Sequence, residues 1–259
     1  MPDHKATIAV ITGGTQGLGL AIAERLLADG CRALVLAGRD VAKGEAVAAR
    51  LRGTADVRFM AVDMGDAAQA AALIDGAAAA FGRVNALVNA AAATDRGSIL
   101  DTTPAAWDSH MAINAKGPFF ALQRFAQLAV AGGHPASAVN ILSMVVHCGQ
   151  SFLAPYSASK AALANVTKNA AQALRQHRIR VNGINCGWMD TPGEDLVQRK
   201  YHAATDGWLE RAEAGQPFGQ LVKPAEVAGL ASFMLSPASG VMTGALVDFD
   251  QNVAGAYPE

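Results

Sequence analysis

Thr7-Ile8-Ala9-Val10-Ile11-Thr12-Gly13-Gly14-Thr15-Gln16-Gly17-Leu18-Gly19 is the stretch that decides how the other residues of this 259-residue chain are read. An apolar run predicts a strand over Thr7–Ile11. A glycine-rich turn follows at once, and an apolar-periodic helix over Leu18–Ala28 follows that. Glycines at such a turn let bare backbone approach a pyrophosphate and let helix pack closely on strand. The helix start adds free amides and the positive end of its dipole. The GxxxGxG spacing departs from the GxGxxG fingerprint, and an ordinary glycine-rich turn is the competing explanation. A doubly wound fold needs its phosphate loop directly after strand one, which favours the phosphate reading.

Outward from this loop, short apolar runs alternate with longer, Ala-rich helical segments. Further strands are expected at Ala33–Ala37, Val57–Val62, Ala86–Val88, Ala138–Leu142, Arg180–Ile184 and Ala245–Phe249. Helices are expected at Ala42–Leu51, Ala67–Phe81, Pro104–Asn114 continuing to about Val130, Tyr156–Gln176 and Pro224–Leu235. Continuous apolar strands joined by helices imply an α/β fold: one doubly wound, Rossmann-like domain over residues 1–259, its seven-stranded parallel sheet flanked by helices. The polar stretch 188–221, with Pro192, Gly193, Gly207 and Gly215, breaks the alternation and is expected to be a substrate loop or lid.

Composition narrows the function. The chain is 51% hydrophobic and 17% charged with a net charge of −1, so it packs densely and carries no basic stripe for nucleic acid or anionic membrane. No apolar stretch reads as a membrane span. Met1-Pro2-Asp3-His4-Lys5 leads straight into a strand without a signal peptide. Cys31, Cys148 and Cys186 are too scattered for a disulfide framework, so reduced thiols and a cytoplasmic location are expected. The six histidines form no HExxH, and no metal site is expected.

Tyr156 and Lys160, four residues apart, share one helix face. An ammonium beside a phenol lowers the phenol pKa from its resting value near ~10. Such a Tyr can exchange a proton as an alcohol and a carbonyl interconvert. Ser143, ending an apolar strand-like run, can add a hydroxyl. Surface helices carry Tyr–Lys pairs by chance, so the pair gains its weight from its company.

That company resembles the short-chain dehydrogenase/reductase family over nearly the whole chain. Thr12 to Gly19 matches TGxxxGxG. Asn89-Ala90-Ala91-Ala92 looks like the family's NAAG with Ala92 replacing glycine. Asn114 looks like the active-site Asn, and Ser143, Tyr156 and Lys160 match the Ser and YxxxK. Cys186-Gly187-Trp188-Met189-Asp190-Thr191 is similar to PGxxxT with Cys for Pro. The resemblance implies an enzyme that transfers a hydride between a nicotinamide and a substrate carbon. Tyr156 is then the acid/base, Ser143 holds the substrate oxygen, and Lys160 binds the nicotinamide ribose and lowers the Tyr156 pKa. Asn114 holds a water behind Lys160. The implied cofactor-binding set is Gly13, Thr15, Gln16, Gly17, Leu18, Gly19, Arg39, Asp63, Met64, Asn89, Ala90, Gly187, Met189 and Thr191, with Tyr156 and Lys160. Within it Asn89 braces the central strands, Asp63 meets the adenine amino group, and Thr191 reaches the carboxamide or pyrophosphate. Cys186 reads as a small packing residue.

Strand two ends Ala37-Gly38-Arg39-Asp40. Gly38 stands where an acid would select NAD by repelling a 2′-phosphate, and Arg39 can pair with that phosphate. NADP is therefore preferred, with NAD possible. A solvated Arg39 beside a helix-capping Asp40 is the alternative.

For the substrate, Thr94, Met144, His147, Gln150, Trp188, Glu194, His202 and Trp208 are the pocket candidates, with His147, Gln150, Trp188 and Glu194 foremost. An aromatic platform with polar partners suits a sugar or polyol. An apolar ketone or a 3-oxoacyl thioester is the runner-up, and a non-catalytic dinucleotide sensor is a further alternative. The resemblance also implies a homotetramer, and the tail Gly255–Glu259 is expected to contact a neighbouring subunit.

Overall fold

The computed structural model describes residues 2–53 and 55–256, so residues 257–259 of the expected subunit-contacting tail lie outside the described residues. Seven strands form one sheet. They are β1 (Ile8–Thr12), β2 (Ala33–Gly38), β3 (Asp56–Ala61), β4 (Ala86–Asn89), β5 (Ala136–Ser143), β6 (Ile179–Cys186) and β7 (Leu246–Phe249). Their order is β3-β2-β1-β4-β5-β6-β7 and every pairing is parallel.

Strand side chains alternate between two buried faces. Ala9, Ile11, Leu34 and Leu36 point to the face covered by α1 (Gly17–Ala28) and α9 (Pro224–Leu235). Val10, Val35 and Ala37 point to the face covered by α3 (Ala67–Phe81), α5 (Gly117–Ala131) and α6 (Ala154–Leu174). Burying each large apolar side chain, such as Ile11, Leu36 or Phe125, contributes about 1.5–3 kcal/mol. β1 lies between β2 and β4, so the chain reverses direction across the sheet there, and a crevice opens at the strands' carboxyl ends.

Two expectations change. The helix expected from Pro104 to about Val130 is interrupted: α4 (Pro104–Met111) ends, Ala112–Lys116 form a wider π turn, and α5 resumes at Gly117. Pro118 has no N–H to offer the carbonyl of Asn114, four residues back, so the α ladder cannot continue unchanged. The stretch expected as a loop at 188–221 holds α7 (Pro192–Tyr201) and α8 (Trp208–Ala214). Thr191 caps α7 by accepting from the Glu194 amide at 3.0 Å, with Pro192 in the first turn. Among the described residues, no helix is long and apolar enough to cross a membrane.

Candidate active site

The phosphate loop shows why its glycines are there. A Cβ on Gly13, whose φ is +67°, would lie 2.8 Å from the Ala91 amide nitrogen. One on Gly19 would lie 2.3 Å from the Gly13 carbonyl oxygen. Bare backbone and the N-terminus of α1 therefore floor a cleft of about 640 Å³. Thr12 locks this floor to the sheet, its hydroxyl accepting from the Ala90 and Ala91 amides at 3.1 and 3.2 Å. Gly13, Thr15, Gln16, Gly17, Leu18, Gly19, Arg39, Asp63, Met64, Ala90 and Thr191 line the cleft as the sequence suggested.

Asn89 does not line it. It is buried beneath, donating to Asn140 Oδ1 at 2.9 Å, so it braces β4 on β5. Lys43, in the first turn of α2 (Val41–Leu51), does line it and hydrogen-bonds Gln16. Asp40 caps the same helix, accepting from the Lys43 amide at 3.0 Å.

A second cavity, of about 830 Å³, adjoins the first, since Leu18, Ala90, Thr191 and Glu194 line both. Ser143, Tyr156, Lys160, Gly187 and Met189 are in its wall. β5 delivers Ser143, and the first turns of α6 deliver Tyr156 and Lys160. Lys160 is 2% exposed; Nζ donates to the Ile141 carbonyl at 2.8 Å and lies 5.7 Å from the Tyr156 ring centre.

Burial pushes the Tyr156 phenol up to about 12, against a lowering hydrogen bond with Ser143. Burial also pushes Lys160 down to about 8. The expected lowering of the phenol by Lys160 is thus absent from the protein alone, because Nζ faces the strand carbonyl and desolvation outweighs the charge. Burial likewise pushes the Cys186 thiol up to about 12, so it stays protonated at neutral pH and packs as a small residue.

Asn114 sits in the π turn, fully buried. Its Oδ1 accepts from the Ala93 amide at 2.7 Å, and Nδ2 donates to the Ala93 carbonyl at 2.9 Å and to Ser159 Oγ at 3.0 Å. Ser159 in turn donates to the Tyr156 carbonyl at 2.7 Å. The side chain therefore joins the 90–97 loop to α6.

Of the foremost substrate candidates, Gln150, Trp188 and Glu194 line the second cavity and His147 does not. The short turn Met144–Val146 carries His147 away to Asp248 Oδ1, 2.8 Å distant, and to Asn185 Nδ2 at 3.1 Å. Thr94, Met144 and His202 also line the cavity, whereas Trp208 is buried under Trp188 and donates to Asp195 at 2.6 Å. Sequence reasoning missed Arg96, Phe152 and Gln198, which line it too.

The sequence matches the enoyl-(acyl carrier protein) reductase family profile over residues 13–251. A solved structure described as a short chain dehydrogenase/reductase family protein superimposes with a TM-score of 0.82 at 31% identity, covering 96% of this chain and 97% of that one. The protein belongs to the short-chain dehydrogenase/reductase family. It is also 33% identical to the NADP-dependent (R)-specific alcohol dehydrogenase of Lentilactobacillus kefiri, over 93% of this chain and 94% of that one. It is 31% identical to the galactitol 2-dehydrogenase of Agrobacterium fabrum, over 88% of this chain and 90% of that one. As a member of this family it is an oxidoreductase that moves a hydride between a nicotinamide cofactor and an alcohol or carbonyl substrate.

Proposed function

We propose that the protein is an NADP-preferring dehydrogenase/reductase of a polyhydroxylated secondary alcohol, of the sugar or polyol class. The observation that carries this reading is the single wall on which Ser143, Tyr156 and Lys160 stand, facing a cavity that opens into the phosphate-loop cleft. The cleft fits a dinucleotide: at Gly13 and Gly19 the backbone packs too closely on itself to admit a side chain, leaving a bare floor, and two cations, Arg39 and Lys43, line its wall. A bound nicotinamide supplies the hydride acceptor or donor.

Ser143 holds the substrate oxygen and Tyr156 exchanges its proton. A phenol near 12 needs positive charge to work at neutral pH. The cationic oxidised cofactor would be the main source, bringing Lys160 into play when it is bound, and Arg96 acts in the same sense. Lys160 also takes the ribose hydroxyls. With the Asn114 side chain occupied, its carbonyl, denied an α-helical donor by Pro118, is the group left to hold a water behind Lys160. Gln150, Trp188 and Glu194 give the cavity the polar and aromatic surface that a polyol needs.

Arg39 and Lys43 are assigned to the 2′-phosphate. Charge-assisted contacts of this kind contribute about 1.5–3 kcal/mol each. Arg39→Ala should raise the KM for NADP about 10–100-fold and leave that for NAD within about threefold; Lys43→Ala should act in the same direction. Nicotinamide absorbance with galactitol, glucitol and ketones, using each cofactor in turn, tests the whole reading. Activity with NAD alone would overturn the NADP assignment. The homotetramer is supported by an apolar groove on α5 and α6, lined by Phe119, Leu122, Ala126, Val130 and Leu174.

A further inference from the structure

Arg96 exchanges no proton or hydride in the chemistry above, its charge only assisting the Tyr156 phenol, yet it stands in the substrate cavity. Backbone bonds fix its place. The Gly97 amide donates to the Phe152 carbonyl at 3.0 Å, and the Ala154 amide donates to the Gly97 carbonyl at 2.9 Å. The segment bearing Arg96 is thus stitched to the start of α6, two residues before Tyr156. The side chain is 15% exposed, and its guanidinium lies 5.4 Å from the Phe152 ring centre. Nε donates to His202 Nε2 at 3.2 Å and Nη1 to the Thr94 carbonyl at 3.1 Å.

Nη2 is different. Its nearest acid, Glu194, is 3.9 Å away, because Glu194 Oε1 is drawn off by Trp188 Nε1 at 2.8 Å and Gln198 Nε2 at 2.7 Å. The other acid of the cavity, Asp250, accepts from the Gln251 amide at 2.8 Å. Among the described residues, Nη2 makes no hydrogen bond. A largely desolvated guanidinium with free donors, held at a fixed offset from the reacting phenol, suits a planar anion that accepts two parallel bonds.

We infer that Arg96 binds a carboxylate of the substrate, so that the alcohol oxidised belongs to a hydroxy acid or sugar acid and not to a neutral polyol. This rests on the hydride-transfer reading and narrows its substrate class. The carboxylate takes the place of the weak Glu194 pairing, while the carbinol carbon lies toward Ser143 and Tyr156.

Matched probes test it: galactitol against galactonate, glucitol against gluconate, and 2-butanol against 3-hydroxybutyrate, each with NADP. The native enzyme should favour the acid by about 10–100-fold in kcat/KM. Arg96→Met, which keeps the apolar stem, should bring the acid-to-neutral ratio down toward one, mainly through the KM of the acid. Arg96→Lys should keep part of the preference. Equal use of acid and neutral probes by the native enzyme overturns the inference. So does a ratio left unchanged by Arg96→Met, which would make Arg96 only a strut between the 90–97 loop and α7. Turnover of none of the probes counts against the hydride-transfer reading instead. Calorimetric titration of gluconate, galactonate and 3-hydroxybutyrate into the NADP-loaded protein then decides the carboxylate site. Heat with at least one acid that disappears in Arg96→Met supports it, and no heat with any of them overturns it.

Discussion

Tyr156→Phe is expected to lower turnover about 10³-fold while leaving NADP affinity within about threefold, because only the proton-exchanging hydroxyl is removed. Phe keeps the ring in its half-buried seat on α6, next to Lys160. The loss corresponds to about 4 kcal/mol of barrier, within the range one general acid–base group supplies. Steady-state kinetics with a turned-over alcohol, together with cofactor fluorescence titration, read both quantities. Retained turnover would remove Tyr156 from the chemistry. A parallel loss of cofactor binding would mean that the hydroxyl mainly positions the nicotinamide.

Lys160→Met is expected to cost turnover about 10²-fold or more and yet raise the thermal midpoint at pH 7 by a few degrees. The ammonium is buried with one hydrogen bond, to Ile141, and burial moves its pKa from 10.5 to about 8. Keeping it charged at pH 7 costs about 3 kcal/mol at 1.36 kcal/mol per unit. Met fills similar space without that cost, offset by about 1–2 kcal/mol for the Ile141 carbonyl left unpaired. The surplus shifts the midpoint by about 2–4 °C per kcal/mol. The sign of the pH effect follows. Between about pH 8 and 10.5 the unfolded chain holds more protons on this Lys than the folded one does. Native stability therefore rises with pH in that window, and the advantage of Met shrinks. Tyr156 and Cys186, both pushed up to about 12, act oppositely above pH 10 and pH 9; Tyr156 is common to both proteins, whereas Cys186 loses the lowering charge of Lys160 in the variant, so the comparison is read below pH 9. A midpoint at pH 7 equal to or below the native one would show that the ammonium is not a net burden.

Most strands and the phosphate loop were legible because a buried parallel sheet imposes continuous apolar runs, and every such run formed a strand with ends shifted by two residues or fewer. α7 was not legible by hydrophobic periodicity, since Pro192–Tyr201 is mostly polar and buries little but Val197. Its signal was local: Thr191, Pro192 and Glu194 are a helix start. The break at Asn114 was also written locally, in Pro118. Arg96 and Lys43 carried no such mark. A cation becomes a site residue only when tertiary contacts, here the stitch from Gly97 to Phe152 and Ala154, bring it to a cavity. His147 failed for the converse reason: one short turn sends it to Asp248.

Asn114 also ties the site to the time course of amide hydrogen exchange. The Ala93 N–H is handed to Asn114 Oδ1, inside a π turn that lies between two helices and under α6. That proton exchanges only when the 90–97 loop parts from Asn114 in the π turn. Its protection factor is therefore a one-atom gauge of whether the catalytic wall is assembled, readable without substrate or turnover.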